Sequence, residues 1–194
     1  MKNISLASAF VLNLLSLCFV FGQTPASKPF DPLKNLVGLE KQSAPLFSKK
    51  GLDGIDYSLA DLKGKIVVIN LWGTSCSPCI AEMPKLNELV AKFKGKDVVF
   101  LAPSPEETPK LKKFLKKRIF KYSVLPDSFD VVEHYAPKKK EADGKSEFQM
   151  ILPTHIVIDG NGLVTKHFWG FGKNTPDILS TEITRLLNNR QKNK

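Results

Sequence analysis

Two kinds of hydrophobic pattern divide this chain into predicted strands and helices. Continuous runs rich in β-branched residues are typical of strands buried on both faces, and the longest are 66–72, 98–102 and 151–158. Apolar residues three or four positions apart predict amphipathic helices over 77–94 and 176–189. Because strands and helices alternate, the pattern predicts an α/β sandwich with a mixed central sheet flanked by helices.

The helical spacing also predicts which side chains face the core. Pro84 lies inside the first long helix and should kink it, and Thr175 is a suitable N-cap for the last helix. The predicted inward residues are Ile80, Met83, Leu86, Val90 and Phe93 in the first helix, and Ile178, Leu179, Ile183, Leu186 and Leu187 in the last.

Turn-forming residues position the shorter elements. Gly51-Leu52-Asp53-Gly54 lies between the apolar segments 46–47 and 57–59, so a hairpin extension is expected before the first long strand. Asp159-Gly160-Asn161-Gly162 predicts a second hairpin leading into 163–169. The remaining expectations are a helix over 106–118, a strand over 122–125, a helix over 129–135 and a surface loop over 137–148.

The first 22 residues have the pattern of an export signal rather than of a folded domain. Lys2 precedes an apolar run from Ile4 to Phe21, and Gly22 ends it. The run nearly reaches the length that spans a bilayer, so an uncleaved membrane anchor is the alternative to cleavage. The predicted organisation is therefore a signal or anchor at 1–22, a linker at 23–43, one domain at 44–190 and a basic tail at 191–194.

The chain is basic, with a formal net charge of +10. Lysines cluster at 110–117 and again at 138–140, and such clusters attract nucleic acid, anionic lipid or acidic proteins. No nucleic-acid recognition motif accompanies them, so no nucleic-acid partner is expected. A solvated basic face and the steering of an acidic protein partner remain as the two interpretations.

Cysteine spacing indicates chemistry rather than a structural crosslink. A predicted signal would remove Cys18 and leave only Cys76 and Cys79, in the sequence Cys76-Ser77-Pro78-Cys79. A bridge across so short a loop would constrain the unfolded chain by only roughly 2 kcal/mol. A zinc site would need two further ligands, and the three histidines lack the close pairing that usually supplies them. No metal or cofactor is therefore expected.

The two cysteines are expected to have unequal roles. Cys76 falls where a buried strand meets the start of a helix, and unpaired N–H groups there stabilise a thiolate. This position predicts a lowered pKa and makes Cys76 the attacking nucleophile. Cys79 lies back over the first turn and is placed to resolve a mixed disulfide on Cys76.

Several motifs together resemble one family. They are 68–74 (Val-Ile-Asn-Leu-Trp-Gly-Thr), the two cysteines, Glu82-Met83-Pro84, Leu152-Pro153-Thr154 and 156–159 followed by a Gly-rich turn. Over residues 44–190 the chain is similar to the TlpA-like, or ResA-like, branch of the thioredoxin superfamily. The resemblance implies a thioredoxin-like three-layer sandwich and a thiol–disulfide oxidoreductase.

The resemblance also implies further site residues. It implies a cis bond before Pro153, whose backbone would pair with substrate, and it includes Leu152 and Trp72 on the substrate-binding side. Asn70 stands where thioredoxins proper carry a buried acid, so Glu82 is expected to accept the proton of Cys79; the alternative is an exposed helix glutamate. Ser75 stands where the family commonly has a tryptophan. This difference removes apolar surface around the thiols, so the substrate contacts and the reduction potential are expected to differ from those of the family.

The predicted function is disulfide exchange with other exported proteins. The resemblance implies that the protein acts as a reductase and that a membrane redox partner supplies its electrons. Keeping apocytochrome c cysteines reduced is one form that the resemblance implies. A copper metallochaperone is the alternative, although such proteins have one more residue between their cysteines; His134 and His155 would be its test positions. A peroxidase is disfavoured, because Thr74 lies too close to Cys76 for a Thr-x-x-Cys loop. The expected location is periplasmic or otherwise extracytoplasmic.

Overall fold

The computed structural model describes residues 36–141, 143–170, 172 and 174–192. The predicted signal segment, the predicted linker as far as residue 35, and residues 193–194 lie outside the described part of the chain. None of the helices within the described ranges is long and apolar enough to cross a membrane.

The described residues form ten strands, four α-helices and a 3₁₀ turn at Leu59–Leu62. The strands are β1 (Leu36–Val37), β2 (Ser48–Lys50), β3 (Asp56–Ser58), β4 (Ile66–Leu71), β5 (Val98–Pro103), β6 (Ser123–Leu125), β7 (Lys138–Lys140), β8 (Ser146–Phe148), β9 (Thr154–Ile158) and β10 (Val164–Trp169). The helices are α1 (Ser77–Lys92), α2 (Thr108–Leu115), α3 (Phe129–Tyr135) and α4 (Thr175–Lys192).

The central sheet has five strands in the order β10-β9-β4-β5-β6. The pairs β4–β5 and β5–β6 are parallel, whereas β9 is antiparallel to both β4 and β10. Every residue of β4 is buried, which confirms the prediction of a strand covered on both faces. The mixed sheet follows from the crossover through α1, which gives a parallel pair, and from the hairpin at 159–162, which gives an antiparallel one.

Helices cover both faces of this sheet, so the three-layer α/β sandwich is confirmed. Residues of α1, α2 and α4 pack on one face, where Met83, Leu86 and Leu179 join the alternating side chains of β4. Residues of α3 and the 3₁₀ turn pack on the other face, where Val132 and Tyr135 are fully buried. The functional region described below lies at the end of β4, on the α1 side.

The hairpin extension is also present. Strands β2 and β3 pair antiparallel, with Ser48 opposite Ser58, and Gly54 has a φ of +83° in the connecting turn. The Asp53 carboxylate accepts hydrogen bonds from the Ile55 N–H and the Tyr57 hydroxyl, which fixes the turn. The strands are displaced by one or two residues from the predicted apolar segments, because Leu46 and Phe47 precede the paired residues.

Residues 137–148 correct the prediction of a surface loop. They contain the hairpin of β7 and β8, and β1 joins β7 to make a separate three-stranded sheet. Most of these side chains are charged and exposed, so period-two apolar alternation is absent. Backbone pairing forms the strands, which is why a hydrophobic pattern could not reveal them.

Part of the predicted linker packs against the domain. The N–H groups of Lys41 and Ala44 donate to the carbonyls of Val164 and Gly162, and the Val164 N–H donates to Gln42. Residues 36–43 therefore lie along β10 and β7 instead of leading loosely into the fold.

Three helical predictions need correction. Helix α2 is shorter than 106–118 and begins at Thr108 with Pro109 in its first turn, after Glu106. Helix α4 continues beyond residue 189 to Lys192, because 188–192 contains no glycine or proline. Ile178, predicted to face inward, is 41% exposed, since Leu179 and Ile183 define the buried stripe of α4.

Candidate active site

The cysteines lie in the loop between β4 and α1. Cys76 is the N-cap of α1, and its Sγ accepts a hydrogen bond from the Cys79 N–H at 3.2 Å. Pro78 occupies the first turn, where its missing N–H leaves no helical bond unmade. The position at a helix N-terminus agrees with the prediction, and the contact shows the N–H donor that would stabilise a thiolate at this sulfur.

Cys76 and Cys79 form a disulfide in this structure, with their Cα atoms 5.3 Å apart. The two sides of the bond are unequally accessible, because Cys79 is 1% exposed whereas Cys76 is only half-buried. An incoming thiolate must reach a sulfur atom along the axis of the bond that it breaks. This exposure therefore favours exchange at Cys76, as the sequence predicted.

Glu82 lies one turn after Cys79 on the buried face of α1. It is 3% exposed, so the alternative of a solvated helix glutamate is wrong. Its Oε1 atom lies 3.2 Å from Nε2 of His155 and 3.5 Å from Nδ2 of Asn70. The buried face of α1 is thus rotated from the predicted one: Glu82 and Leu89 are buried, while Ile80 and Val90 are only partly covered.

His155 and Tyr122 complete the buried surroundings of Glu82. Neither was predicted to belong to the thiol–disulfide site, and His155 was named only as a test position for a copper site. His155 is fully buried on β9 directly opposite Asn70 of β4. Tyr122 is 3% exposed, and its burial together with the nearby Glu82 carboxylate raises the pKa of its hydroxyl. The available indication for His155 was an ionisable residue in the predicted buried strand 151–158, where Thr154 is the only other polar side chain.

The segment before β9 lies beside the active-site loop. The Leu152–Pro153 bond is cis, as the resemblance implies. Leu152 packs against the same cluster as Cys76, and its Cδ1 atom lies 3.8 Å from the position that a Cβ would take at Gly73. The Pro153 carbonyl already accepts a hydrogen bond from Gly170 at 2.9 Å, so the backbone groups of Leu152 are more open to a substrate than those of Pro153.

Trp72 corrects a further prediction. Its side chain is fully buried, its indole N–H donates to the Ala102 carbonyl at 3.2 Å, and its ring packs on Phe114 and Phe120. The side chain therefore supports the base of the loop from within the core and does not form a substrate-binding surface.

Glu106 holds the other side of the loop and is a third residue that was not predicted from the sequence. Its carboxylate accepts from the Thr74 N–H at 2.7 Å and the Thr74 hydroxyl at 2.8 Å, and it pairs with Lys110 at 2.6 Å. Burial alone would raise the pKa of Glu106, but the hydrogen bonds from Lys110 and Thr74 outweigh it and lower that pKa. The parallel pairing of β4 and β5 was a usable indication, since residues after both strands meet at one edge.

This arrangement is suited to two-electron thiol chemistry. One sulfur is accessible, the other is buried behind it, and a carboxylate lies in the core on the side of the buried sulfur. Within the described residues, no three His, Cys, Asp or Glu side chains lie close enough together to hold a metal ion.

Comparison with known proteins agrees with this chemistry. Residues 41–167 match the AhpC/TSA family. The thiol-disulfide oxidoreductase ResA of Bacillus cereus (strain ZK / E33L) is 36% identical over 179 residues, which cover 91% of this chain and 94% of the relative. ResA of Bacillus thuringiensis subsp. konkukian is 34% identical over 163 residues, covering 82% and 86%.

Solved structures share the fold. The exposed lipoprotein thioredoxin Etrx1 of Streptococcus pneumoniae superposes with a TM-score of 0.57 at 28% identity, covering 73% of this chain and all of that one. A thiol:disulfide interchange protein of the thioredoxin family from Chlorobium tepidum superposes with a TM-score of 0.58 at 24% identity, covering 78% and 99%. The chain therefore belongs to the AhpC/TSA family and is a thioredoxin-like thiol–disulfide oxidoreductase of the ResA-like branch.

Proposed function

We propose that this oxidoreductase works outside the cytoplasm and reduces disulfides in other exported proteins. The observation that supports the division of roles is the unequal exposure of the two sulfurs at the start of α1. Cys76 acts as the nucleophile and Cys79 as the resolving thiol. Keeping the cysteines of apocytochrome c reduced is the specific task that the ResA-like relationship suggests.

The exchange proceeds in two steps. The Cys76 thiolate attacks a substrate disulfide, one substrate sulfur leaves and takes up a proton, and a mixed disulfide joins the other to Cys76. Cys79 then loses its proton and attacks Cys76, so that the mixed disulfide breaks, the Cys76–Cys79 bond forms and the second substrate sulfur is released to take up a proton. Two electrons pass to the substrate, and a membrane redox partner restores the dithiol.

Glu82 is the proposed acceptor of the Cys79 proton. Cys79 and Glu82 lie three residues apart on the same buried face of α1, and residues at this spacing are neighbours on a helix. Water has little access to either group, so a positioned carboxylate is the available base. On the substrate side, the backbone groups of Leu152 make no hydrogen bond to the described residues, and they lie next to Pro153 and the cluster that includes Cys76.

The N-terminal segment supports the location. A basic residue, an apolar run and a small residue at its end make residues 1–22 a signal peptide, or an anchor if they are retained. Export would bring the active site to proteins in which disulfides form.

Covalent trapping in the producing cell tests this function. Cys79→Ala removes the resolving thiol, so we expect mixed disulfides between Cys76 and exported proteins, detected as reducible adducts after acid quenching. Cys76→Ala is the matched control, because it keeps one cysteine and loses the accessible nucleophile. A Cys79→Ala protein that forms no more adducts than the control would contradict the proposal.

The direction of electron flow needs its own measurement. A reductase should be found mainly as the dithiol when the wild-type cells are quenched in acid and alkylated. A protein found mainly as the disulfide would overturn the reductase assignment while leaving disulfide exchange intact.

A further inference from the structure

Four buried polar side chains form a cluster behind Cys79, here called the buried polar cluster: Asn70, Glu82, Tyr122 and His155. Each is at most 3% exposed, although they come from α1, β4, β9 and the residue before β6. Five of their atoms have no hydrogen-bond partner among the described residues: Asn70 Oδ1, Glu82 Oε2, Tyr122 Oη and both ring nitrogens of His155. Buried polar atoms are normally satisfied, so this cluster is an exception that calls for a cause.

The contact between Glu82 and His155 is the central feature of the cluster. An ionised carboxylate removed from water is costly unless a partner compensates for it. In the described part of the chain, His155 is the only basic side chain within ion-pair distance of Glu82. The His155 Nε2 atom lies 3.2 Å from the Glu82 Oε1 atom, but the two atoms do not have hydrogen-bond geometry. The two side chains are therefore in close contact without a hydrogen bond between them.

Among the described residues, the other neighbours of this pair carry no positive charge that could replace His155 and no second carboxylate that could replace Glu82. Asn70 faces Glu82 from β4 at 3.5 Å, and Phe168 of β10 stacks on the imidazole with ring centroids 5.0 Å apart. Tyr122 lies near enough for the Glu82 charge to act on its hydroxyl, and Cys79 is one turn earlier on α1. The proton balance of this interior therefore involves Cys79, Glu82, His155 and the Tyr122 hydroxyl.

We propose that His155 is a positioning residue that shares one proton with Glu82 and thereby sets the pH at which Cys79 attacks the mixed disulfide. This inference rests on the proposed function, in which Glu82 accepts the Cys79 proton. When Cys79 passes its proton to Glu82, the carboxylate and imidazole together hold it, either on the carboxyl group or on Nε2. The negative charge then resides on the Cys79 sulfur, which forms the new S–S bond, and the substrate thiolate leaves and is protonated.

Removing the imidazole should have a defined effect. A buried carboxylate without a compensating partner retains a proton more strongly, because burial disfavours its charged form. In His155→Leu, Glu82 would then be a poor acceptor near neutral pH, and resolution would need a higher pH. Since Gln can still donate a hydrogen bond but cannot hold the proton, His155→Gln should lie between His155→Leu and the wild type.

In the experiment, the reduced protein is mixed with a saturating concentration of a peptide disulfide, and the release of peptide thiol is followed. The second phase of this release, whose rate does not depend on peptide concentration, reports the attack of Cys79 on the mixed disulfide. We expect the midpoint of its pH profile to rise by about one pH unit in His155→Leu, which lowers the rate near pH 7 about tenfold. Exposed His134→Gln is the control and should keep the wild-type profile. The double variant Glu82→Gln/His155→Leu should be no slower than Glu82→Gln alone, because His155 acts through Glu82.

The outcomes separate the two proposals. Unshifted midpoints in both His155 variants, with a shifted profile in Glu82→Gln, would overturn the inference about His155 and leave the role of Glu82 standing. Unchanged profiles in all three would remove Glu82 as well, whereas Cys79→Ala trapping would still test disulfide exchange. If His155→Leu fails to fold, the midpoint of His155→Gln decides, and a wild-type midpoint in that variant contradicts the proposal.

Discussion

At the scale of single residues, two glutamates support the cysteines from opposite sides. Glu82 lies in the core on the buried face of α1, whereas Glu106 lies outside and holds the backbone of Thr74 two residues before Cys76. Gly73 passes between Glu106 and Leu152, each within 3.9 Å of the position that a Cβ would take there. The loop is therefore fixed between the end of β5 and the segment before β9.

Replacing Glu106 by Gln should loosen this loop. The neutral amide loses the ion pair with Lys110 and one strong acceptor for Thr74, so we expect the free energy of unfolding to fall by about 1–3 kcal/mol near pH 7. The folded-state pKa of Glu106 lies below its ordinary value of 4.5, so its contribution is present above that pH and is lost as the pH falls through the folded-state pKa. Urea unfolding at pH 7 and near pH 3 measures both values.

Exposed Glu107→Gln provides the comparison, because its side chain caps no N–H of α2. An equal loss of stability at both pH values in Glu106→Gln would show that the Glu106 charge contributes nothing to the loop.

The sequence was sufficient for the residues that lie on one continuous segment. Cys76, Pro78 and Cys79 could be placed at a helix start because a buried run precedes them directly. The burial of Glu82 could not be predicted, since it depends on the rotation of α1 against β4. His155 and Glu106 reach the site from β9 and from the end of β5, and only the tertiary arrangement brings them there.

At the scale of elements, the segment that leads into the domain is fixed against β10. The His167 Nδ1 atom accepts from the Leu39 N–H at 2.7 Å, and the Glu40 carboxylate accepts from the backbone N–H of His167 at 3.1 Å. A Cβ at Gly38 would lie 2.7 Å from that Nδ1 atom, so the backbone passes directly against the imidazole ring. This packing needs His167 in its neutral form, with Nδ1 as an acceptor.

The stability of the fold should therefore depend on the protonation of His167. Burial lowers the pKa of His167 from 6.5 to about 4, and the nearby Glu40 carboxylate offsets only part of this shift. Stability from this residue is complete above the unfolded-state value of 6.5 and is lost as the pH falls through about 4. We expect a loss of roughly 3 kcal/mol over this interval, measured by urea unfolding.

His167→Gln should flatten this part of the pH profile, because the amide does not titrate. His134→Gln, at an exposed position of α3, should keep the wild-type slope. If His167→Gln retained that slope, the acid sensitivity would have another origin.

The elements that the sequence predicted best are those with a hydrophobic pattern of their own. β4, α1 and α3 could be located because burial imposes period and composition on them. β1, β7 and β8 form a sheet of two- and three-residue strands that carry charged side chains, and the pairing of β1 with β7 joins residues about 100 positions apart. No local pattern encodes such a contact.

At the scale of the whole molecule, one helix and the turn after it carry a cluster of exposed basic side chains. Lys112, Lys113, Lys116, Lys117 and Arg118 are exposed on α2 and the turn after it, while Leu111 of the same helix is buried in the core. Lys110 differs from them, because it binds Glu106 and so belongs to the support of the loop. Lys116, Lys117 and Arg118 line a surface groove together with Ile80 and Met83 of α1, the helix that begins at the cysteines. The basic surface of α2 would therefore attract acidic substrates to this side of the domain over distances of about one Debye length.

Reversing two of these charges tests that attraction. In Lys112→Glu/Lys113→Glu, the second-order rate of reaction with an acidic peptide disulfide should fall about tenfold at low ionic strength and approach the wild-type rate at high salt. The rate with an uncharged peptide disulfide should stay unchanged. Lys138→Glu/Lys140→Glu on β7 has the same change in net charge and is the control. Equal losses in both variants would indicate that net charge, and not the α2 surface, controls the encounter.

The location of the two tryptophans has an optical consequence. Trp72 directly follows Leu71, which pairs with Thr154, and Trp169 pairs with the same Thr154 from the other side. Both indoles thus stand at the end of the sheet that carries the cysteines, one fully buried and one partly open to solvent. Indole emission is quenched by a nearby disulfide and changes colour with the polarity of its surroundings. The domain therefore contains two natural fluorophores near this end of the sheet. The shielded Trp72 shares a core cluster with Cys76 and Cys79 and should report their oxidation, whereas the partly open Trp169 packs on His167 and should report the polarity at that site.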